Sequence, residues 1–598
     1  MAPKGKPSNP TSVKVVIVKV NGLSPKNLII MKKTFFIIAL VLASAYAQAQ
    51  VIDPLLQEEM NRRSDSEMIE ITVLMKSRCD RNTLSQRASA LSTRAERRAF
   101  VVDELKRFTE ASQRDLKLAL AEMEQQGEVT APRTLWMSNS LYFSATKESI
   151  LALAKRDDIA HIGYNIERKW IDDDEKPTSA NETREITPNI LKVNADKVWE
   201  LGYTVKDIVV SIIDAGVNYN HLDLADHLWD GGEAFPHHGY DVRNDDDDPM
   251  DDMGHGTHCA GTVAGDGTAG SQTGVAPDAQ IMCIKSVNAD GTGGAVKLAE
   301  GMEWSVEHGC DIISMSMGLV HPSVTERELF RRTCVSILDA GVSSFICAGN
   351  EGFALDQYPI PQNVRIPGSC PPPYLDPDQM ANPGELSSAI VVGSVDDNDQ
   401  ASFFTANGPC TWQDTEFGDY AYNPGIGLIR PDVCAPGESI KSLNYTSNTG
   451  YKSMTGTSQA TPCVAGIAAL MLSKNPELSP ADICRILEET SVKLTPTKSN
   501  LTGVGRVDAL AAINAVPTWD GIKETALNAN LFPNPTRDNV TIQCEGMKQV
   551  EIYSIDGRLV QSLSVNGSEC LIEGLESGVY MVRIGTDEGS VVRKMVKM

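Results

Sequence analysis

Three short motifs in this 598-residue chain carry side chains suited to acid–base and nucleophilic chemistry. Asp214 follows the apolar run Ile208–Ile213, where a buried carboxylate is costly unless it has a partner. His255 lies within the glycine-rich segment Gly254–Gly261. Ser458 precedes a run of small and apolar residues that is typical of a tightly packed helix. Together the three motifs could supply a carboxylate, an imidazole and a hydroxyl.

Each motif also has a plain structural interpretation. An aspartate after a strand often caps a turn, a histidine among glycines is usually structural, and a serine at a helix start is most often an N-cap. His255 and His258, spaced i and i+3, would suit a metal, but no third ligand follows at a suitable spacing. A chemical interpretation therefore depends on the three motifs together.

Alternating strand and helix patterns surround these motifs from residue 190 to 515. The expected strands are Asp207–Ile213, Gln280–Val287, Asp311–Met315, Ser343–Cys347 and Ala389–Val395, with helices such as Ala295–His308 and Glu326–Ala340 between them. Such short Val- and Ile-rich runs are typical of buried parallel strands. The alternation predicts an α/β domain with a doubly wound, mainly parallel sheet. Ligands of such sheets bind beyond the carboxyl ends of the strands, where Asp214 lies.

The motifs resemble those of the subtilase family of serine proteases, whose catalytic residues follow the order Asp, His, Ser. The resemblance covers about Val193–Ala515 and includes Ala348-Gly349-Asn350, which is similar to the family's oxyanion segment. It implies that Ser458 is the nucleophile, His255 its general base and Asp214 the residue that orients the imidazole. It also implies that the Asn350 side chain and the Ser458 N–H bind the oxyanion, and that the chemistry requires no cofactor.

The same resemblance assigns substrate binding to two segments. Ser316-Met317-Gly318 is similar to the segment that pairs with substrate backbone as an added strand, and Ala348 and Gly349 are expected beside it. Two positions depart from the family pattern. Ala215 follows the aspartate where Ser or Thr is usual, and Gln459 follows the serine where Met is usual.

The thirteen cysteines include no CxxC pair, and most of them read as small buried hydrophobes. Cys370 and Cys410 lie in Pro- and Gly-rich stretches and are the predicted disulfide partners. Cys259, close to His255, resembles the thiol of the proteinase K branch of the family. That likeness predicts partial inhibition by mercurials.

An acidic loop precedes His255 and has two interpretations. It holds six carboxylates within eight residues, which repel one another unless a cation neutralises them. Oxygen ligands favour Ca²⁺, and many subtilases bind calcium. One interpretation is a structural calcium site formed by Asp245, Asp247, Asp248 and Asp252, and the other is a solvated acidic loop.

The N-terminal part of the chain resembles an export signal followed by a propeptide. Residues 31–49 have the charged start, the short apolar core and the Ala47-Gln48-Ala49 end of a signal peptide. Residues 1–30 are then expected to come from an upstream start codon, the alternative being a long signal. Residues 51–174 have an α+β pattern and resemble the inhibitory propeptides of subtilases. The polar segment 175–189 is expected to be an exposed linker, with cleavage between about Trp170 and Asn189.

The C-terminal part, residues 528–598, shows short strands with turn signals and predicts a small all-β sandwich. Its Pro533-Asn534-Pro535 start, its Gly578-Val579-Tyr580 strand and its basic end resemble the sorting domain of the Bacteroidetes type IX secretion system. An accessory β-sandwich is the alternative. The resemblance implies export through the periplasm and across the outer membrane to the surface or the medium, with the type IX machinery as a partner.

Charge and motif order exclude other classes of function. The formal charge of −25 argues against nucleic-acid partners, because phosphates need Lys and Arg to replace their counterions. A lipase or esterase would need Gly-x-Ser-x-Gly and the order Ser, Asp, His, and neither is present around Ser458. A binding protein that has lost catalysis would lack a member of the triad. Protein or peptide substrates are therefore the expected partners, with the propeptide as an intramolecular inhibitor.

Overall fold

The computed structural model describes residues 51–91, 93–171, 178–179, 185–205, 207–371, 389–410, 428–519, 529–537, 539–554, 558–586 and 589–598. The predicted signal peptide and the 1–30 extension lie outside these residues. Parts of the linker and of the Pro-rich stretch at 367–383, which contains Cys370, also lie outside them. Within the described chain, no helix is both long and apolar enough to cross a membrane.

Residues 51–171, here called the N-terminal unit, have the α+β architecture that the sequence predicts. Its elements are α1 (Pro54–Arg62), β1 (Ile69–Met75), α2 (Arg81–Ala88), α3 (Arg94–Gln125), β2 (Arg133–Leu135), β3 (Ser140–Ala145), α4 (Lys147–Leu153), β4 (Ile159–Tyr164) and β5 (Glu167–Lys169). The first four strands form an antiparallel sheet in the order β2-β3-β1-β4. The unit encloses its own core, which includes Leu56, Ile71, Leu116 and Phe143.

Residues 185–519, here called the central domain, contain a seven-stranded sheet in the order β14-β13-β12-β11-β7-β9-β8. Every pair in it is parallel, as the alternating pattern predicts. Its strands are β7 (Val209–Asp214), β8 (Gly239–Asp241), β9 (Gln280–Lys285), β11 (Ile312–Met315), β12 (Ser343–Cys347), β13 (Ile390–Val395) and β14 (Val433–Pro436). The strand order reverses between β7 and β11, so the carboxyl end of β7 lies at a topological switch point.

Helices of the central domain pack around this sheet. They are α5 (Pro188–Lys192), α6 (Ala195–Glu200), α7 (His255–Ala264), α8 (Ala295–Glu307), α9 (Val324–Asp339), α10 (Thr457–Lys474), α11 (Pro480–Thr490) and α12 (Ala509–Ala515). Helix α10 is buried from Thr457 to Leu472. Its small residues allow that burial, because a Cβ at Gly466 would lie 2.8 Å from Val275 Cβ.

Two smaller sheets complete the central part of the structure. Strand β10 (Thr292–Gly294) pairs antiparallel with β5 of the N-terminal unit. Strand β15 (Ile440–Leu443) pairs with β16 (Tyr451–Met454), and β16 pairs with β6 (Thr178–Ser179), which lies in the predicted linker. The contact between β10 and β5 brings the end of the N-terminal unit beside the central domain.

Residues 529–598, here called the tail domain, are all-β, as predicted. They form β17 (Asn530–Phe532), β18 (Val540–Ser554), β19 (Leu559–Ile572), β20 (Gly578–Thr586) and β21 (Gly589–Lys597). All five described strands are hydrogen-bonded into one continuous antiparallel network. The long strand β18 makes this continuity, since it pairs with β17, β19 and β20. Alternate residues such as Ile542, Val550, Val582 and Ile584 supply a separate core.

Candidate active site

Asp214 and His255 form a buried carboxylate–imidazole pair at the switch point of the sheet. Nδ1 of His255 lies 2.8 Å from Oδ1 and 2.9 Å from Oδ2 of Asp214, and both residues are almost wholly buried. Oδ1 of Asp214 also accepts the Ala215 N–H at 2.8 Å, so the residue that departs from the family pattern still binds the carboxylate through its backbone. Because the carboxylate holds Nδ1, Nε2 is the ring nitrogen that can exchange a proton with a neighbouring hydroxyl.

Glycines allow the start of α7 to approach β7 closely. Gly254, at the N-cap, has φ of +105°, a conformation that favours glycine. A side chain at Gly256 would collide with the Gly216 carbonyl and would lie 2.9 Å from Asp214 Cβ. The glycine-rich motif around His255 therefore brings the imidazole within hydrogen-bond reach of the strand end.

Asp251 fixes the N-terminus of α7 from the acidic loop. Its Oδ1 accepts the N–H groups of Met253 and Gly254, and its Oδ2 accepts the N–H and hydroxyl of Thr257. Complete burial raises the pKa of Asp251 to about 6, although these four donors act to lower it. Asp251 thus ties the loop to the helix that carries His255.

Ser458 lies in the first turn of α10, close to the same pair. Its hydroxyl donates to the Ser316 carbonyl at 3.0 Å, and the Ser316 hydroxyl donates back to the Ser458 carbonyl at 2.7 Å. Cys259 lies between Ser458 and His255, with Sγ 3.6 Å from the Ser458 carbonyl and 3.9 Å from His255 Nδ1. The structure therefore brings together the Asp, His and Ser that the sequence singled out.

Thr457 orients the amide of Asn350. The Asn350 Oδ1 accepts both the N–H and the hydroxyl of Thr457 at 3.0 Å, and Thr457 Oγ1 accepts the Gly349 N–H at 3.2 Å. With the amide oxygen held in this way, the NH₂ group of Asn350 is the end suited to donate to an oxyanion. Thr457 was not among the predicted site residues, although its position beside Ser458 was a signal.

The segments predicted to line the cleft lie side by side, and the end of the N-terminal unit runs along them. The Trp170 carbonyl accepts the Gly318 N–H at 3.4 Å, and the Trp170 N–H donates to the Gly291 carbonyl at 2.9 Å. Met317 and Ala348 are fully buried, so their side chains belong to the core. Gly318 therefore meets that chain through its backbone, whereas the backbone N–H and C=O groups of Ala348 and Gly349 bond to other residues of the central domain.

The four predicted calcium ligands of the acidic loop all have partners within the protein. Asp245 pairs with Arg133 of the N-terminal unit at 2.8 Å and with Lys297 at 3.0 Å, and Asp252 pairs with Lys285 at 2.6 Å. Although partial burial acts to raise it, these two neighbours hold the pKa of Asp245 below its ordinary value.

The other two predicted ligands also have protein partners. Asp248 accepts the hydroxyl of Tyr219 at 2.9 Å, and Asp247 lies 3.8 Å from His237. Among the described residues, the groups whose ligand atoms come within 4.8 Å of one another are Asp214/His255/Cys259 and Asp226/His227/Asp266. For Asp245 and Asp252, cations of the protein thus take the neutralising role that the sequence suggested for Ca²⁺.

The predicted disulfide is wrong. Cys370 and Cys410 are both buried and neither forms a disulfide, and Cys370 lies beside Cys334. Burial raises the pKa of both thiols, which keeps them protonated. The Pro- and Gly-rich context suggested exposed loops, but these positions pack into the core of the central domain. His258 does not join His255 either, since its Nε2 contacts the Ile440 carbonyl at 2.9 Å.

Comparison with known proteins agrees with this geometry. Residues 205–506 match the profile of the subtilase family, and residues 530–598 match that of a secretion system C-terminal sorting domain. Serine protease AprX of Bacillus subtilis (strain 168) is 32% identical over 346 residues, which cover 54% of this chain and 70% of that protein. Subtilisin DY of Bacillus licheniformis is 32% identical over 320 residues, which cover 53% of this chain and 96% of that protein.

A third relative aligns over more of the chain. Bacillopeptidase F of Bacillus subtilis (strain 168) is 26% identical over 464 residues, 72% of this chain and 30% of that protein. The subtilase match covers about half of the chain, includes all three site residues and coincides with the parallel-sheet domain. The chain is a subtilisin-like serine protease with a C-terminal sorting domain, and it belongs to the subtilase family.

Proposed function

We propose that this serine protease is an endopeptidase that cleaves protein and peptide substrates through an acyl-enzyme on Ser458. The observation that carries the proposal is the buried pair of Asp214 and His255 at the switch point, with Ser458 close by across Cys259. A buried ion pair of this kind is weak evidence for stability alone. Because the pair lies beside a serine at the start of a helix, a catalytic role is favoured over a purely stabilising one.

The chemistry follows from the positions of these groups. As Oγ of Ser458 attacks the peptide carbonyl carbon, its proton passes to Nε2 of His255, and Asp214 stabilises the imidazolium. Asn350 and the Ser458 N–H donate to the oxyanion. His255 then gives its proton to the departing amine. A water attacks the resulting ester with His255 again as base, which restores the serine hydroxyl.

The N-terminal unit acts in this proposal as an inhibitory propeptide. Strand β5 and Trp170 lie antiparallel to Thr292–Gly294 and against Gly318, as an extended substrate would. Ion pairs across the same contact run mostly from cations of this unit to acids of the central domain, such as Arg81 to Asp339. Occupation of the cleft supports an inactive full-length chain that matures by cleavage in the linker, residues 175–189.

Export is proposed to depend on signals at the two ends of the chain. The signal at residues 31–49 directs the chain to the periplasm, and the tail domain directs it across the outer membrane through type IX secretion. The match of residues 530–598 to a secretion sorting domain supports the second step. The protease would then act at the cell surface or in the medium.

Casein digestion tests the proposed function. Full-length wild type, Ser458→Ala and Ser473→Ala are incubated under maturation conditions and then assayed on casein and on a nitrophenyl ester. Ser473 lies in the same helix and bonds only to a helix carbonyl, so it is a matched control. We expect digestion by wild type and Ser473→Ala and none by Ser458→Ala. Equal digestion by all three would refute the role of Ser458, and ester hydrolysis without casein digestion would favour an esterase.

A further inference from the structure

Arg365 lies beneath the two segments that line the cleft. Its backbone N–H donates to the Ala348 carbonyl at 3.0 Å, and its side chain is 5% exposed. The stem of the side chain packs against two glycines, since a Cβ at Gly318 would lie 2.6 Å from Arg365 Cβ and one at Gly349 would lie 2.8 Å from Cγ. Because both positions are glycines, there is room for the Arg365 side chain between the two segments.

The guanidinium of Arg365 binds the chain that occupies the cleft. Its NH1 donates to the Trp170 carbonyl at 3.2 Å, the same oxygen that accepts the Gly318 N–H. Nε donates to Glu351 Oε1 at 2.8 Å, and NH2 donates to the same oxygen. Glu351 follows Asn350 directly, so the residue that orients the guanidinium is attached to the expected oxyanion segment. The carbonyl of an extended strand is thus held by one backbone donor and one charged donor.

Trp170 is anchored as a substrate residue would be. Its indole N–H donates to the Gly293 carbonyl at 2.8 Å, and its ring meets Phe330 edge-on with centroids 5.7 Å apart. The side chain is 1% exposed. Backbone and side chain of this one residue are therefore both recognised, which distinguishes the position from a contact made only through packing.

We propose that Arg365 is a substrate-binding residue of the matured enzyme, which donates from NH1 to a main-chain carbonyl of the substrate upstream of the scissile bond. The Trp170 carbonyl occupies that place in the full-length chain. The proposal rests on the proposed function and adds a residue to it. A charged donor in a buried site makes a stronger hydrogen bond than a neutral one. Substrates long enough to reach Arg365 therefore bind more tightly than short ones.

The test compares long and short peptides on the matured enzyme. Both fluorogenic peptides share one cleavable sequence, and the long one continues upstream with the sequence of residues 167–171. The double variant Arg365→Met, Glu351→Gln removes the donor without leaving a buried unpaired carboxylate. Glu351→Gln alone keeps the guanidinium and an amide oxygen that can accept from it, so it is the control for loss of the carboxylate charge.

We expect the double variant to raise KM for the long peptide about tenfold, which corresponds to about 1.4 kcal/mol, with KM for the short peptide unchanged. The control keeps the advantage of the long peptide. Equal losses on both peptides would show a purely structural role and overturn the proposal. Failure of wild type to cleave the short peptide would instead contradict the proposed function.

A conservative variant covers the case in which the double variant does not fold. Arg365→Lys keeps a positive charge beside Glu351, but its single ammonium does not reproduce the guanidinium fork that reaches both Glu351 and the carbonyl. The long peptide is expected to lose the same advantage with this variant. Thioamide replacement along the long peptide weakens one carbonyl acceptor at a time. At one upstream position this replacement should raise KM for wild type more than it raises KM for Arg365→Lys. Identical thioamide profiles would refute the contact.

Discussion

Asp311 offers a direct test of how the proposed propeptide is held. This carboxylate begins the segment that leads into β11, and it accepts Arg94 and Arg98 of α3 at 3.0 Å each. Its other oxygen accepts the Val209 N–H at 2.9 Å. All three charged side chains are at most 13% exposed. The perturbation is Arg94→Gln with Arg98→Gln in the propeptide, which leaves the carboxylate covered but without a cation.

The expected magnitude follows from burial. Removal of one partner from a buried ion pair typically costs about 3–5 kcal/mol, because the other charge stays desolvated. The lower end applies here, since the three side chains keep 9–13% of their surface exposed. About 3 kcal/mol corresponds to a loss of about 100-fold in affinity. Exposed pairs contribute much less, about 0–1 kcal/mol.

The assay titrates matured protease with separate propeptide, residues 51–171, which encloses its own core, and measures the inhibition constant. Arg107→Gln is the matched control, because Arg107 is 68% exposed and pairs within the propeptide. The double variant should inhibit about 100-fold more weakly than wild type, and the control should match wild type. An inhibition constant that changes as little with the double variant as with Arg107→Gln would refute the reasoning.

Three further predictions concern the active site. Thr457→Val should lower kcat about tenfold with KM unchanged. This loss is smaller than the 10²–10³ typical of a deleted oxyanion donor, because Asn350 remains and loses only a hydroxyl that orients it. Thr457→Ser should restore kcat, and a change confined to KM would contradict this role. Asp251 has a folded-state pKa of about 6, above its ordinary 3.8, so its contribution to stability is present below pH 3.8 and is lost as the pH rises toward 6. The loss is at most about 3 kcal/mol. The melting temperature of wild type, measured relative to that of Asp251→Asn, should therefore be higher at pH 4.5 than at pH 7. A difference between the two proteins that does not change with pH would contradict this role of Asp251. Mercury(II) should inhibit the protease slowly and partially through Cys259, because this thiol is buried, has a raised pKa and lies beside His255. The Cys259→Ala variant should be insensitive to mercury(II). Equal inhibition of both proteins would place the reactive thiol elsewhere.

Local patterns were sufficient to predict the parallel sheet, whereas the choice of Asp214, His255 and Ser458 depended on the resemblance of the three motifs to the subtilase family. The runs that became β7, β9, β11, β12 and β13 are apolar and bounded by turn signals, so each could be recognised without its neighbours. Strands β8 and β14 were missed, because Gly239–Asp241 spans only three residues and Val433–Pro436 contains Ala and Pro in place of a Val- and Ile-rich run. Their pairing depends on the strands beside them, which a local pattern does not contain.

The wrong disulfide and the untested calcium site both concern residues whose surroundings come from distant parts of the chain. The acidic loop looked unbalanced because Arg133, Lys297 and Lys285 come from other elements and were not visible as its partners. Cys370 and Cys410 looked exposed because Pro and Gly surround them, although both are buried. Calcium binding at the loop stays a prediction that the ion pairs of the full-length chain do not favour.

Covalent labelling of the nucleophile tests the central claim most directly. Matured protein is treated with a sulfonyl fluoride, and the adduct is located by peptide mass spectrometry together with loss of casein digestion. The account predicts one adduct, on Ser458, formed in step with inactivation and greatly slowed in His255→Ala. An adduct on another serine, or full casein digestion by protein completely labelled at Ser458, would contradict it.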